Sequence, residues 1–166
     1  ACDQFRLPIE SPKKAFKTSG PKLTVSTNGD NLSASSSKVN FVFNRKTGIV
    51  TSYKVDGTEY FSEGFGIQPN FWRAPTDNDY GNGMPKRLQV WKESSKNFNV
   101  TDATVTMDGN NAVVNVNYLL PAGNLYIVNY TIYPSGAVNV AARFTSTDMD
   151  AAQTEVSEAT RTATFT

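Results

Sequence analysis

Repeated alternation of apolar and polar residues over residues 100–145 is the feature that most restricts the fold of this chain. The alternating runs are separated by polar turn sequences such as Asp108-Gly109-Asn110-Asn111 and Pro121-Ala122-Gly123. A repeat of two residues places every second side chain on one face of an extended strand, which a helix cannot do. Evenly spaced strands joined by polar turns predict an antiparallel meander with one face in a core.

The same pattern extends to the first half of the chain. Gly48 ends a turn that suits a positive φ, and Asp56-Gly57 is a favoured two-residue hairpin turn. The fold class predicted from this pattern is all-β, either an antiparallel β-sandwich or a barrel-like domain. Its strands are predicted at residues 23–27, 39–43, 49–55, 58–61, 100–107, 112–120, 124–133 and 137–145. The last residues, 163–166, also resemble a strand, and we expect the sequence to be a fragment of a larger fold.

Two segments interrupt the strand pattern. Residues 9–22 contain two prolines, a glycine and four lysines, and we interpret them as a linker after a strand tail at residues 1–8. Residues 62–96 are too long for a hairpin loop and are rich in aromatic residues, glycine, asparagine and proline. Within them a short helix is predicted over residues 85–94, with Pro85 in its first turn. A loop of this length inside a compact domain is more often functional than accidental.

Composition excludes several classes of chemistry. The chain has no histidine and one cysteine, Cys2, so histidine-dependent catalysis, intrachain disulfides and cysteine zinc sites are excluded. The formal net charge is +1, without the clustered basic face that nucleic-acid binding requires. No apolar run approaches the length of a membrane span. We therefore expect neither nucleic acid nor a membrane as a partner.

The most specific stretch runs from Gln68 to Asn82 (QPNFWRAPTDNDYGN) and is followed by Trp91-Lys92. Phe71 and Trp72 are expected to anchor the loop in the core, and Arg73 can pair with Asp77 or Asp79 to fix the turn. One interpretation is a structural loop with an internal ion pair, and the other is a loop that presents polar groups to a ligand. A calcium loop is disfavoured, since the fifth, sixth and twelfth positions hold Gly81, Asn82 and Leu88.

This stretch resembles the start of the small-chain, or fifth, domain of family 2 β-galactosidases, which carry a run very similar to FWRAPTDND-x-G. Here that run is Phe71 to Asp79 with Gly81, followed by Trp91-Lys92. Asp3-Gln4-Phe5 is similar to the strand that ends the preceding immunoglobulin-like domain in those enzymes. The hairpins near Thr47-Gly48 and Asp56-Gly57 also resemble the family pattern, although weakly.

The resemblance implies a galactose mutarotase-like supersandwich, of which residues 23–166 are the first part. It implies that this domain packs beside a catalytic (β/α)₈ barrel and other domains of a parent enzyme, bacterial in origin, that hydrolyses β-galactosides. The residues placed by resemblance at the rim of the active site are Gly81, Asn82, Gly83 and Arg87. The motif that supports this rim comprises Phe71, Trp72, Arg73, Pro75, Asp77, Asn78, Asp79 and Trp91.

Retaining glycoside hydrolysis requires two carboxyl groups, and in the family both come from barrel strands that this sequence does not resemble. We therefore expect no catalytic residue, no metal and no cofactor in this chain. Two alternatives remain open: an independent carbohydrate-binding module, and a purely structural domain. Trp72 and Trp91 are each open to interpretation as core residues or as platforms for a sugar ring.

Overall fold

Two antiparallel sheets form the fold, and the computed structural model describes residues 17–62, 65–145 and, as backbone, 159–165. The strands of the first sheet, in spatial order, are β1 (Thr24–Asn28), β2 (Asn31–Ser35), β3 (Val39–Asn44), β4 (Ile49–Val55) and β5 (Thr58–Glu59). Those of the second are β6 (Asn99–Asp108), β7 (Asn111–Leu119), β8 (Leu125–Ile132), β9 (Val138–Thr145) and β10 (Ala159–Phe165). The all-β antiparallel sandwich predicted from the sequence is confirmed.

The core lies between the two sheets and is built from the alternate residues that the sequence pattern predicted. Phe41 and Phe43 of β3 face Tyr130 of β8, with ring centroids 5.6 Å and 6.2 Å apart. Val114, Val116 and Tyr118 alternate along β7 and are fully buried. Burying one large apolar side chain contributes about 1.5–3 kcal/mol, so the alternation directly accounts for the pairing of the sheets.

Two tyrosine hydroxyls join the sheets in opposite directions. Tyr53 of the first sheet donates to the carbonyl oxygen of Gly136 at 2.5 Å, in the turn between β8 and β9. Tyr118 of the second sheet donates to the carbonyl oxygen of Gly48 at 2.9 Å, in the turn between β3 and β4. Burial raises the pKa of both phenols above the ordinary value. Both hydroxyls therefore remain protonated donors at neutral pH.

The predicted turns have the expected backbone geometry. Asp56 and Gly57 have φ values of 50° and 82°, as a two-residue hairpin with a right-handed strand twist requires. Gly48 has a φ of 71°, and a Cβ at this position would lie only 2.7 Å from a ring carbon of Phe98. Glycine is thus required at position 48 by both conformation and space.

The structure differs from the sequence-based prediction in several elements. Strand β2 was not predicted, and the returning strand expected at residues 58–61 is only Thr58–Glu59. The helix expected at residues 85–94 is two helices, α2 (Met84–Arg87) and α3 (Gln89–Ser94), because Leu88 leaves helical geometry with a φ of −107° and a ψ of 22°. An unpredicted helix, α1 (Asp77–Gly81), precedes them, and a 3₁₀ turn (Pro121–Gly123) links β7 to β8.

The domain boundaries at residues 8 and 22 stay predictions. The strand tail at residues 1–8 and the linker up to residue 16 lie outside the described residues. At the end of that linker, a Cβ on Gly20 would overlap the carbonyl oxygen of Pro134, so the backbone there lies directly against the turn between β8 and β9. The larger supersandwich also stays a prediction. In the described part of the chain, no helix has the length and apolar character needed to cross a bilayer.

Candidate functional site

The segment that leads to the FWRAPTDND run is held against the edge of the first sheet. The amide of Val50 donates to the carbonyl oxygen of Ile67 at 3.1 Å. A Cβ on Gly66 would overlap the carbonyl oxygen of Val50, so the two backbones approach as closely as glycine allows. Pro69, two residues after Ile67, is buried. These contacts fix the place at which the chain leaves the sheet.

Phe71 anchors the run, as the sequence predicted. Its ring packs edge-on against Tyr126 at 5.1 Å and belongs to the partly buried residues around the core. Its amide donates to the hydroxyl of Ser95 at 2.7 Å, and that hydroxyl donates to the carbonyl oxygen of Trp91 at 3.0 Å. Ser95 thereby connects the run to α3, a role for which no sequence pattern provided a signal.

The two tryptophans have different surroundings. Trp72 is partly buried, but it is not among the described hydrophobic residues that pack against the core, whereas its neighbour Phe71 is. Its expected anchoring in the core is therefore not seen. Trp91 packs against Phe71 at 6.2 Å and against Phe144 at 5.4 Å. Phe71, Trp91 and Phe144 line an open depression of about 320 Å³.

Arg73 and Asp79 form a bidentate ion pair, which settles the choice of acidic partner that the sequence left open. The guanidinium donates to the two carboxylate oxygens at 2.5 Å and 3.0 Å. The same carboxylate accepts from the amide of Thr76 at 2.7 Å and from its hydroxyl at 2.9 Å. We call these three residues the clasp. Its hydrogen bonds from Arg73 and Thr76 hold the pKa of Asp79 well below the ordinary range.

The clasp fixes the start of α1. Thr76 is the N-cap residue, and Asp79 is the third residue of the helix, where a carboxylate can return to the N-cap amide. Asp79 is 8% exposed, whereas Asp77, Asn78 and Tyr80 of the same helix are exposed. Asp77, the first acidic residue of the DND run, therefore faces solvent, whereas Asp79, the second, is buried in its ion pair with Arg73.

The four rim residues of the sequence-based prediction lie together after α1. Gly81 is its last residue and has no unusual φ, whereas Gly83 has a φ of 71°. Asn82 accepts from the amide of Met84 at 2.9 Å through its side chain, and its carbonyl oxygen accepts from Arg87 at 3.2 Å. Residues 81–87 thus form a short and largely exposed segment with hydrogen bonds within itself. Whether they contact a substrate stays a prediction.

Carboxylates elsewhere in the described segments already have partners or stand apart. Glu59 accepts from Ser52 at 2.6 Å and from the amide of Tyr53 at 2.9 Å, and such bonds outweigh burial to lower its pKa. Glu93 accepts from Asn97 at 2.9 Å. Within the described ranges, no three histidine, cysteine or acidic side chains group as metal ligands would.

One buried polar group has no assigned role. The hydroxyl of Ser94 in α3 is fully buried and has no hydrogen-bond partner among the described residues. Helix α3, which carries this residue, lies against the 3₁₀ turn between β7 and β8. The alternation of apolar and polar residues in the sequence does not predict a buried hydroxyl group without a partner.

Comparisons with known proteins identify the family. A family model described as "Beta galactosidase small chain" matches residues 35–163. The β-galactosidase of Priestia megaterium is 33% identical over 142 residues, which are 84% of this chain and 13% of that protein. The β-galactosidase of Kluyveromyces lactis is 27% identical over 143 residues, which are 80% of this chain and 14% of that protein.

A separate small subunit is also similar. The β-galactosidase small subunit of Latilactobacillus sakei is 27% identical over 129 residues, or 63% of this chain and 39% of that subunit. The chain therefore spans only a minor part of the relatives it matches. The family match covers most of the sandwich, the clasp and residues 81–87, and on it we conclude that the chain belongs to the β-galactosidase small-chain family.

Proposed function

We propose that this chain is an accessory, non-catalytic domain of a β-galactosidase that hydrolyses terminal β-galactosides with retention of configuration. The observation that carries the proposal is the family match over residues 35–163, together with relatives that are named as β-galactosidases. In the proposal, a (β/α)₈ barrel elsewhere in the parent enzyme supplies the reacting groups. Residues 81–87 lie at the rim of that barrel's active site.

The side-chain inventory supports the non-catalytic assignment. Retaining hydrolysis needs two carboxyl groups about 5–5.5 Å apart, one as nucleophile and one as acid and base. Asp79 is held in its ion pair with Arg73, and its lowered pKa makes it a poor proton donor. Asp77 is exposed and forms no ion pair with another described residue, and Glu59 accepts from a backbone amide. The proposal assigns no metal and no cofactor to this chain.

The position of the helices supports the rim assignment. Helices α1, α2 and α3 lie between the last strand of the first sheet and the first strand of the second. They therefore share one connection, in which α3 packs against the sandwich through Trp91 and α1 carries the exposed residues Asp77, Asn78 and Tyr80. The clasp and the Phe71 anchor hold the base of this connection, so that residues 81–87 can be presented to a neighbouring domain.

The test compares hydrolysis of lactose by three preparations: the chain alone, the complete enzyme, and the complete enzyme with residues 81–87 replaced by a Gly-Ser linker of equal length. We expect no turnover by the chain alone and a fall in kcat/KM of about tenfold or more for the linker variant. Its folding is checked by thermal unfolding. Turnover by the chain alone would contradict the non-catalytic assignment, and an unchanged linker variant would contradict the rim assignment.

One observation favours the second candidate, an independent carbohydrate-binding module. The open depression between Phe71, Trp91 and Phe144 presents aromatic surface of the kind that stacks on sugars. An NMR titration of the labelled chain with galactose and lactose separates the two candidates. Saturable shifts centred on Trp91 at millimolar sugar, which corresponds to about −4 kcal/mol, would favour the module. An unperturbed spectrum at that concentration would favour the accessory domain.

A further inference from the structure

Tyr80 is an aromatic side chain held in solvent on a rigid element. It is 65% exposed, although it belongs to a helix whose neighbouring residue Asp79 is buried. Tyr60 is similarly exposed, but its ring packs on Tyr53 at 5.4 Å. Tyr80, by contrast, makes no ring contact with any residue in the described ranges. Its apolar ring face is therefore unoccupied.

Asp77 lies on the same side of α1 as Tyr80. The two are three positions apart in a helix, which brings their Cβ atoms to about 5–6 Å of each other. No ion pair or side-chain hydrogen bond joins the Asp77 carboxylate to another described residue, because Arg73 is committed to Asp79. The Asp77 carboxylate, a hydrogen-bond acceptor without a described partner, thus lies beside the Tyr80 ring, which has no ring contact.

The clasp holds Asp77 and Tyr80 in position before a ligand binds. Four hydrogen bonds converge on the Asp79 carboxylate and hold the first turn of α1. The orientation of the helix, and hence of the side chains at positions 77 and 80, is fixed before any ligand arrives. A tyrosine has few rotatable bonds, so little further freedom is lost when its ring makes contact.

We propose that Tyr80 and Asp77 bind the leaving-group sugar of a β-galactoside, with the ring against its apolar C–H face and the carboxylate accepting from its hydroxyl groups. The inference rests on the proposed function, in which residues 81–87 lie at the rim of the active site. The galactosyl group must lie deep, beside the two reacting carboxyl groups. The pair on α1 adjoins residues 81–87, and the proposal places it against the part of the substrate that projects outward.

The test uses the complete β-galactosidase and two substrates that share the galactosyl group. Lactose carries a sugar as leaving group, whereas methyl β-galactoside carries only a methyl group. For Tyr80→Ala we expect the KM for lactose to rise on the order of tenfold, with kcat little changed and the KM for methyl β-galactoside within about twofold of wild type. Tyr80→Phe keeps the ring and is expected to restore most of the lactose affinity.

Two further variants complete the design. Asp77→Asn keeps the shape and removes the charge, and we expect its KM for lactose to rise about threefold, because charged acceptors form the stronger hydrogen bonds. Tyr60→Ala is the matched control, since it removes a similarly exposed tyrosine that lies outside α1 and residues 81–87. We expect it to leave both KM values unchanged.

The outcomes separate this inference from the proposed function. If Tyr80→Ala affects both substrates equally or neither, the leaving-group contact is overturned. If in that case the linker replacement of residues 81–87 still lowers kcat/KM, the rim assignment stands without the contact. If neither variant alters kinetics, the rim assignment fails as well. A lactose-specific rise in KM that Tyr80→Phe reverses supports the inference.

Discussion

Replacing Tyr118 with phenylalanine removes one hydroxyl group from the interior and leaves the ring in place. The hydroxyl donates to the Gly48 carbonyl oxygen at 2.9 Å, across the interface between the two sheets. The ring contacts with Phe98 at 5.6 Å and with Tyr126 at 5.9 Å do not depend on the hydroxyl. The substitution therefore isolates hydrogen bonding from apolar burial.

The magnitude follows from what the missing hydroxyl leaves behind. A typical hydrogen bond contributes about 1 kcal/mol net, and a buried acceptor left without a donor raises the total to about 1–3 kcal/mol. Tyr118 is 0% exposed, so water cannot replace the lost donor without entering the core. We expect Tyr118→Phe to lower the free energy of unfolding by about 1–3 kcal/mol. In a domain of this size Tm falls by about 2–4 °C per kcal/mol.

The assay is urea unfolding of the chain, followed by fluorescence, with Tyr80→Phe as the control. The control removes the same atom from a ring that is 65% exposed, and its free energy of unfolding is expected to stay within about 0.5 kcal/mol of wild type. The transition midpoint should move without a change in slope. Equal stability of the two variants would refute the role of the hydroxyl as a tie between sheets.

Three other predictions concern pH and backbone geometry. Because the pKa of Asp79 is lowered in the folded chain, its ionised carboxylate stabilises the fold at pH values above the ordinary pKa of 3.8, and this stabilisation is lost as the pH falls below 3.8. We therefore expect the Tm of Arg73→Gln to fall less between pH 7 and pH 2 than the Tm of the wild type. The raised pKa of Tyr118 has its effect at the other end of the pH range, because above pH 10 this phenol ionises only in the unfolded chain. We therefore expect Tm to fall above pH 10, and an absorbance titration should detect the ionisation of Tyr118 only when the chain unfolds. Gly48→Ala, at a φ of 71°, should lower the free energy of unfolding by about 1–2 kcal/mol, whereas Gly81→Ala, with open space around it, should be neutral in urea unfolding.

The strands that the sequence predicted are those in which β-branched and aromatic residues alternate with polar ones. Strand β4, for example, is found at the predicted residues Ile49–Val55. Strand β2 (NLSAS) escaped prediction because serine favours turns and because only Leu32 and Ala34 mark its inner face. These residues form a strand because β1 and β3 both pair with them. Such pairing depends on other parts of the chain and cannot be predicted from the local sequence.

The clasp was only partly visible in the sequence. Arg73 was assigned an acidic partner, but spacing alone did not separate Asp77 from Asp79. The signal that could have done so is the Thr76-x-x-Asp79 spacing, which is that of a capping box and would also have predicted α1. Phe144, which completes the aromatic depression, was missed because its contact with Trp91 joins distant parts of the chain.

The two tyrosine ties also bear on the order in which the fold forms. Each sheet is a run of neighbouring hairpins, whose contacts are local and form early. The ties instead join residues 70 and 83 positions apart, so the large loops they close must be ordered before either hydroxyl finds its carbonyl. Contacts made after the transition state slow unfolding without speeding folding. We therefore expect the two hydrogen bonds to slow unfolding and so to extend the lifetime of the native sandwich.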